Sequence, residues 1–215
     1  MTSVLVATLG FTSHAIAIYS KVALSIPDRI SNPQATQYLG IFTWLTVQTN
    51  IICCARFATV IAAYLLGSTF LGAITVRLFP LTFGLGFMLT ILYYGLDHFQ
   101  EENMKKRKQG ATIAPFCEVA AHLEHGSALP LAMLDACTLV ADGQRPGVEN
   151  IVGGYVAFYM VLTFFNRAAT NTWQYPIIDD AQRAAGWPGV IVFFAAIAGL
   201  MVCAAHFGVA IASLA

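Results

Sequence analysis

The stretch AAHLEHGSALP, residues 120–130, leads directly into the apolar run LAML, residues 131–134. Its two histidines, His122 and His125, lie three residues apart. They share one face of a helix, because residues at i and i+3 project from the same side. Ionisable side chains at the mouth of an apolar segment are costly to bury in a membrane and mark functional positions. The stretch therefore predicts a membrane-inserted helix that carries a candidate site.

The composition of the whole chain agrees with a membrane environment. Of its 215 residues, 58% are hydrophobic and only 10% are charged, whereas soluble domains carry about a quarter charged residues. The mean hydropathy is +0.69. The formal net charge is zero, and this balance gives no indication of a nucleic-acid partner. We expect a multi-pass integral membrane protein in contact with membrane lipids.

Six apolar segments are long enough to be membrane helices, since about 20 apolar residues cross the hydrocarbon core. Polar links that contain Pro, Gly and charged residues separate them. We expect an all-α, polytopic membrane helix bundle of about six transmembrane helices in a single integral membrane domain, residues 1–215. Pro130 is expected to divide the fourth helix into two parts. The expected helices cover residues 3–24, 38–66, 71–96, 113–140, 150–169 and 190–214.

Several charged residues fall within these segments, and buried charges are normally paired. Arg77 with Asp135, or Arg56 with Asp142, would satisfy this rule. Ion pairs that tie helices together are the favoured interpretation of these residues. The alternative is an arginine that clamps a substrate carboxylate, because the guanidinium group matches a carboxylate in bidentate geometry.

The second segment carries hydroxyl groups at regular spacing, on Thr43, Thr46 and Thr49. A threonine hydroxyl becomes a nucleophile only with a base within hydrogen-bond reach, and a neutral imidazole is the usual base near pH 7. Packing of the second segment against the fourth would create a Thr–His pair inside the bilayer. The alternative is structural, because threonines in membrane helices often bond their own backbone carbonyls or a neighbouring helix.

The fourth segment also offers three metal donors on one helix, Glu118, His122 and His125, and helix bundles use such spacings for metals. His14 and His206 are the other histidines within apolar segments. A haem or metal site would need His14 with His125, or His206 with His122, as facing ligands. This ligand set is thin, so we expect neither a metal site nor another cofactor.

Four stretches follow one another along the chain: FTWLT at 42–46, the run from Phe79-Pro80 to YYGLD at 93–97, HLEHGSALP at 122–130, and NTWQYP at 171–176. In order and approximate spacing they resemble the androgen-induced protein / androgen-dependent TFPI-regulating protein family. The likeness covers an aromatic-then-threonine helix start, a His-x-x-His-hydroxyl-x-x-Leu-Pro segment and a Trp-x-Tyr-Pro element. That family consists of small multi-helix membrane proteins.

The resemblance implies an enzyme, because members of the family act as threonine hydrolases on fatty acid esters of hydroxy fatty acids. The family's catalytic histidine is the second of its pair, so that role falls on His125. The nucleophile falls on Thr46, or on Thr43 one turn earlier. His122 would support the site, and Ser127 or the backbone N–H groups near Gly126 are candidate donors to the oxyanion.

These implications predict an intramembrane lipid esterase, a hydrolase of lipid metabolism that acts on a lipid ester and needs no cofactor. The alternative is a non-catalytic accessory subunit or lipid-binding component of a larger complex, with membrane-protein partners. The short, neutral chain without large polar loops motivates that alternative. The esterase requires a threonine hydroxyl of the second helix within about 3 Å of a ring nitrogen of His125.

Overall fold

The computed structural model describes residues 2–31, 37–101, 104–105, 107–108, 112, 116–138 and 147–214. These residues form helices and turns without a strand, which confirms the expected all-α polytopic bundle. A 3₁₀-helix, Gly40–Thr43, precedes α2, and a π-helical turn, Tyr93–Asp97, follows α3. The α-helices are α1 (Thr2–Ser31), α2 (Leu45–Leu66), α3 (Thr69–Leu92), α4 (Cys117–His125), α5 (Ala128–Ala136), α6 (Val148–Thr170) and α7 (Pro176–Ala212).

Five helical segments within the described residues are long and apolar enough to cross a membrane: Ser3–Val22, Leu45–Leu66, Thr69–Leu96, Val148–Thr170 and Pro176–Ala212. The central one is α3, which packs against α2, α5, α6 and α7. Its residues Phe83 and Leu85 are fully buried. Apolar side chains such as Leu65 and Val161 project outwards from the bundle, where they face lipid. The chain is therefore a multi-pass integral membrane protein, as expected.

The expected fourth helix, 113–140, consists of two short helices in the part that the structure describes. Each of α4 and α5 has nine residues, and Gly126 and Ser127 separate them. The break follows from Pro130, which has no N–H to donate to the carbonyl four residues earlier, that of Gly126. A helix can begin just before a proline, because the first N–H groups of a helix have no partner within it. The division into two parts thus places His125 at a helix end.

Several ends of the first three helices differ from the apolar pattern, although α2 ends at Leu66 as expected. The end of α1 is Ser31 rather than residue 24, because a helix can continue after its apolar residues stop. The start of α2 is Leu45 rather than residue 38, since Trp44 has an extended backbone that separates the 3₁₀-helix from α2. The start of α3 is Thr69, where the Ser68 hydroxyl accepts a hydrogen bond from an N–H of the first turn.

The last helix begins at Pro176, far before the expected residue 190. Proline suits the first position of a helix, because its φ is already helical and its missing N–H is not needed there. The helix is broken at Ala185 and Gly186, and Gly186 has a φ of 63°, which side chains other than glycine rarely adopt. The polar link expected between the fifth and sixth segments is therefore largely helical.

A buried ion pair joins α2, α3 and α5. Arg56 and Asp135 are 1% and 4% exposed, and a guanidinium nitrogen of Arg56 lies 2.5 Å from a carboxylate oxygen of Asp135. The Nε of Arg56 also donates to the carbonyl oxygen of Thr75 at 3.0 Å. One expected pairing, Arg77 with Asp135, is wrong. Asp135 pairs with Arg56 instead, because these two side chains face each other in the bundle. The other pairing involved Asp142, which lies outside the described residues.

Candidate active site

The structure brings one threonine hydroxyl to His125. Thr46 lies in the first turn of α2, and its Oγ1 is 3.2 Å from Nε2 of His125, the last residue of α4. The other ring nitrogen, Nδ1, lies 2.9 Å from the carbonyl oxygen of Ala121. A carbonyl only accepts hydrogen bonds, so Nδ1 carries the proton of the neutral ring and Nε2 is the acceptor. His125 therefore presents its basic nitrogen to the hydroxyl of Thr46, as a general base must.

The other candidate threonine has different surroundings. Thr43 is fully buried, and its hydroxyl has no hydrogen-bond partner among the described residues. Its carbonyl accepts from Gln174 Nε2 at 2.8 Å and from the Tyr159 hydroxyl at 3.3 Å. The extended residue Trp44 interrupts the helical register between the two threonines. Thr46, in contrast, is only partly buried.

Two residues of the α3 region hold His125 in place. The ring of Tyr93 stacks on the imidazole, with centroids 4.1 Å apart and planes 10° from parallel. The hydroxyl of Thr90 donates to the carbonyl oxygen of His125 at 2.6 Å and accepts from the N–H of Leu129 at 3.3 Å. Tyr93 begins the π-helical turn, and π-turns are frequent at functional sites. The role of Tyr93 was not evident from the sequence, because a π-helical turn leaves no clear pattern in the residues.

The two residues expected to support the site have other partners. His122 Nδ1 lies 2.7 Å from the hydroxyl of Tyr94, so this ring faces the end of α3. The Ser127 hydroxyl donates to the carbonyl oxygen of Leu123 at 2.8 Å and accepts from the Ser13 hydroxyl at 2.9 Å. The hydrogen of the Ser127 hydroxyl is therefore already engaged with the backbone in this arrangement.

Asn50, which the residue pattern did not single out, connects α1, α2 and α4 next to the Thr–His pair. Asn50 Nδ2 donates to the carbonyl oxygens of Thr46, at 2.8 Å, and of Glu124, at 3.0 Å. Its Oδ1 lies 2.7 Å from Nδ1 of His14 on α1. Asn50 and His14 are each 1% exposed. In the sequence, Asn50 was one of several polar residues in the second segment, and nothing distinguished it from the others.

The first turn of α2, which carries Thr46, also has backbone N–H groups that the helix itself does not use. The N–H of Leu45 donates to the Tyr175 hydroxyl at 2.9 Å. The next two N–H groups belong to Thr46 and Val47, and the first N–H groups of a helix have no partner within it. The N-terminal end of a helix also attracts negative charge. An oxyanion that forms next to Thr46 would therefore meet donors from this turn.

The histidines considered as metal ligands have separate surroundings. Within the described residues, no group of three His, Cys, Asp or Glu side chains is arranged to hold a metal ion. His14 is bonded to Asn50. His206 Nε2 lies 3.1 Å from a carboxylate oxygen of Glu149, at the start of α6. The described donors therefore do not converge on one point.

These features define a polytopic helical membrane protein with a Thr–His pair between two of its helices. The chain belongs to the FAR-17a/AIG1-like protein family, whose model matches residues 3–213. The resemblance to the androgen-induced protein family is thereby confirmed. No curated protein and no solved structure matches the chain.

Proposed function

We propose that this protein is an intramembrane lipid esterase that hydrolyses fatty acid esters of hydroxy fatty acids, with Thr46 as nucleophile and His125 as base. The observation that carries the proposal is the 3.2 Å separation between Thr46 Oγ1 and His125 Nε2. It falls within the reach that a general base needs before substrate binds. The substrate class comes from the family, and the surrounding apolar helices suit acyl chains.

The reaction proceeds in two stages. Nε2 of His125 takes the hydroxyl proton of Thr46 as Oγ1 attacks the carbonyl carbon of the ester. The tetrahedral intermediate collapses when the C–O bond to the hydroxy fatty acid breaks, and His125 returns the proton to that leaving oxygen. The acyl group is now esterified to Thr46. His125 then takes a proton from water, which attacks the acyl carbonyl, and the fatty acid leaves as Thr46 regains its proton.

The surroundings of the pair support both stages. The Ala121 carbonyl keeps the proton of His125 on Nδ1, so the tautomer is correct before the reaction begins. The face of the Tyr93 ring stabilises the imidazolium that forms in each stage, because an aromatic face attracts a cation. The N–H groups of Thr46 and Val47 would donate to the oxyanion. The Ala121 carbonyl and the Tyr93 ring thus take the place of the carboxylate that orients the histidine in other hydrolases.

The proposal is tested by hydrolysis of such an ester by the purified protein in phospholipid vesicles. We expect turnover by wild type, and a loss of about a hundredfold or more for Thr46→Ala and for His125→Ala, since a positioned base contributes on this scale. Thr43→Ala is the matched control and retains activity within about threefold, because its hydroxyl does not meet His125. Absence of turnover by folded wild-type protein would refute the esterase and favour the non-catalytic subunit.

A further inference from the structure

The side chain of Asn50 contacts both halves of the Thr–His pair through their backbones. It binds the carbonyl of Thr46 itself and the carbonyl of Glu124, the residue before His125. We infer that Asn50 is a positioning residue that sets the distance between the Thr46 hydroxyl and the His125 imidazole. The catalytic part of this inference rests on the proposed function.

The orientation of the Asn50 amide follows from its partners. The carbonyl oxygens of Thr46 and Glu124 only accept hydrogen bonds, so the NH₂ group must face them. Both of its hydrogens are then used, and Oδ1 is left to accept from Nδ1–H of His14. Asn50 is only 1% exposed, so removal of its amide would leave buried polar groups without partners. Such a loss is costly because water cannot replace the bonds.

The packing of the helices explains why a link is needed here. The short helix α4 packs mainly against α1 and touches α2 over only a small area. The Thr–His pair nevertheless spans α2 and α4, so apolar packing alone holds its two members loosely with respect to each other. Asn50 bridges α2 and α4 directly, and His14 anchors it to α1, the helix that packs against both. One amide therefore ties α1, α2 and α4 together next to the pair.

Two substitutions separate this role from packing. Asn50→Leu keeps the number and branching of the side-chain heavy atoms but makes no hydrogen bonds, whereas Asn50→Asp can still accept from His14 but cannot donate to the two carbonyls. Both should lower kcat by about a hundredfold, because a displacement near 1 Å costs that much. KM should change by less than about threefold, since Asn50 is 1% exposed and so offers almost no surface to a substrate.

The chain provides a matched control in Asn166 on α6. This asparagine is also 1% exposed, donates to Gln37 Oε1 and accepts from the N–H of Tyr38 at 3.0 Å. Asn166→Leu should therefore lower thermal stability by an amount comparable with Asn50→Leu, and leave kcat within about threefold. An equal fall of kcat in both variants would show that Asn50 acts only on stability and would overturn the inference.

A second measurement reports the geometry without ester hydrolysis. A thiol introduced by Thr46→Cys lies beside His125, and a neighbouring histidine favours the reactive thiolate. We measure its alkylation by iodoacetamide with site-resolved mass spectrometry, which separates it from the native cysteines. Adding Asn50→Leu should slow this alkylation by about tenfold, because the thiol loses its alignment with the imidazole. Adding Asn166→Leu should leave the rate unchanged.

The two measurements distinguish failure of the inference from failure of the proposed function. An alkylation rate that does not respond to Asn50→Leu overturns the positioning role, whether or not the protein is an esterase. A rate that falls with Asn50→Leu in a protein without ester turnover supports the positioning role and refutes the esterase.

Discussion

The hydroxyl of Thr46 lies 3.2 Å from Nε2 of His125, although 79 residues separate them along the chain. The threonine lies in the first turn of one helix and the histidine ends another. Tyr93 stacks on the imidazole, Thr90 holds its backbone, and Asn50 connects the two sides. Each of these groups contacts a different part of the pair or of its backbone.

The aromatic ring of Tyr93 should matter more than its hydroxyl. Tyr93→Leu removes the face that stabilises the imidazolium, which is worth about 1–2 kcal/mol and corresponds to about a tenfold lower kcat. Tyr93→Phe keeps the ring and loses the hydroxyl contact with His98 at 3.1 Å. Steady-state hydrolysis, at a temperature where both variants are folded, should show Tyr93→Phe within about threefold of wild type. Equal losses in the two variants would contradict the role of the ring.

Ser127 should be dispensable for the chemical step. Its hydroxyl already donates to Leu123, so it has no hydrogen left for an oxyanion. Ser127→Ala is expected to change kcat by less than about threefold, whereas loss of an oxyanion donor costs about a hundredfold or more. The measurement is the kcat of the variant for the same ester. A hundredfold fall would instead assign the oxyanion to Ser127.

The buried ion pair between Arg56 and Asp135 should dominate the stability of the bundle. Arg56→Leu leaves a carboxylate that is 4% exposed without its cation, and such a loss costs about 3–5 kcal/mol. The double variant Arg56→Leu, Asp135→Leu should be more stable than Arg56→Leu, since two apolar side chains leave no buried charge. Unfolding in detergent, followed by circular dichroism, compares the three proteins. A double variant less stable than Arg56→Leu would contradict this explanation.

Close helix packing at Gly208 gives a stability prediction with an internal control. A Cβ added at Gly208 would lie 2.4 Å from the ring of Phe83, whereas one added at Gly199 meets nothing within 4 Å. Both glycines are on α7. Gly208→Ala should destabilise the protein by about 1–3 kcal/mol through overpacking, and Gly199→Ala should be neutral or slightly stabilising. The same unfolding measurement tests this, and equal effects at the two positions would contradict the packing described.

Much of the fold was predictable because apolar length and polar links determine membrane helices directly. The break between α4 and α5 was also predictable, because Pro130 has no N–H to donate to the carbonyl of Gly126. The choice between Thr43 and Thr46 was not, because it depends on Trp44, whose extended backbone ends one helix before the next begins. Tyr93 and Asn50 were missed for a similar reason. A stacking ring and a buried amide acquire their roles only from residues distant in the chain.

Covalent labelling tests the central claim most directly. Wild-type protein in vesicles is treated with a lipid fluorophosphonate, which bonds to activated hydroxyl groups, and the modified peptide is located by mass spectrometry. We predict an adduct on Thr46 that is absent from His125→Ala and from Thr46→Ala, and that is retained in Thr43→Ala. An adduct on another residue, or labelling of Thr46 that persists in His125→Ala, would contradict the assignment of Thr46 and His125 as nucleophile and base.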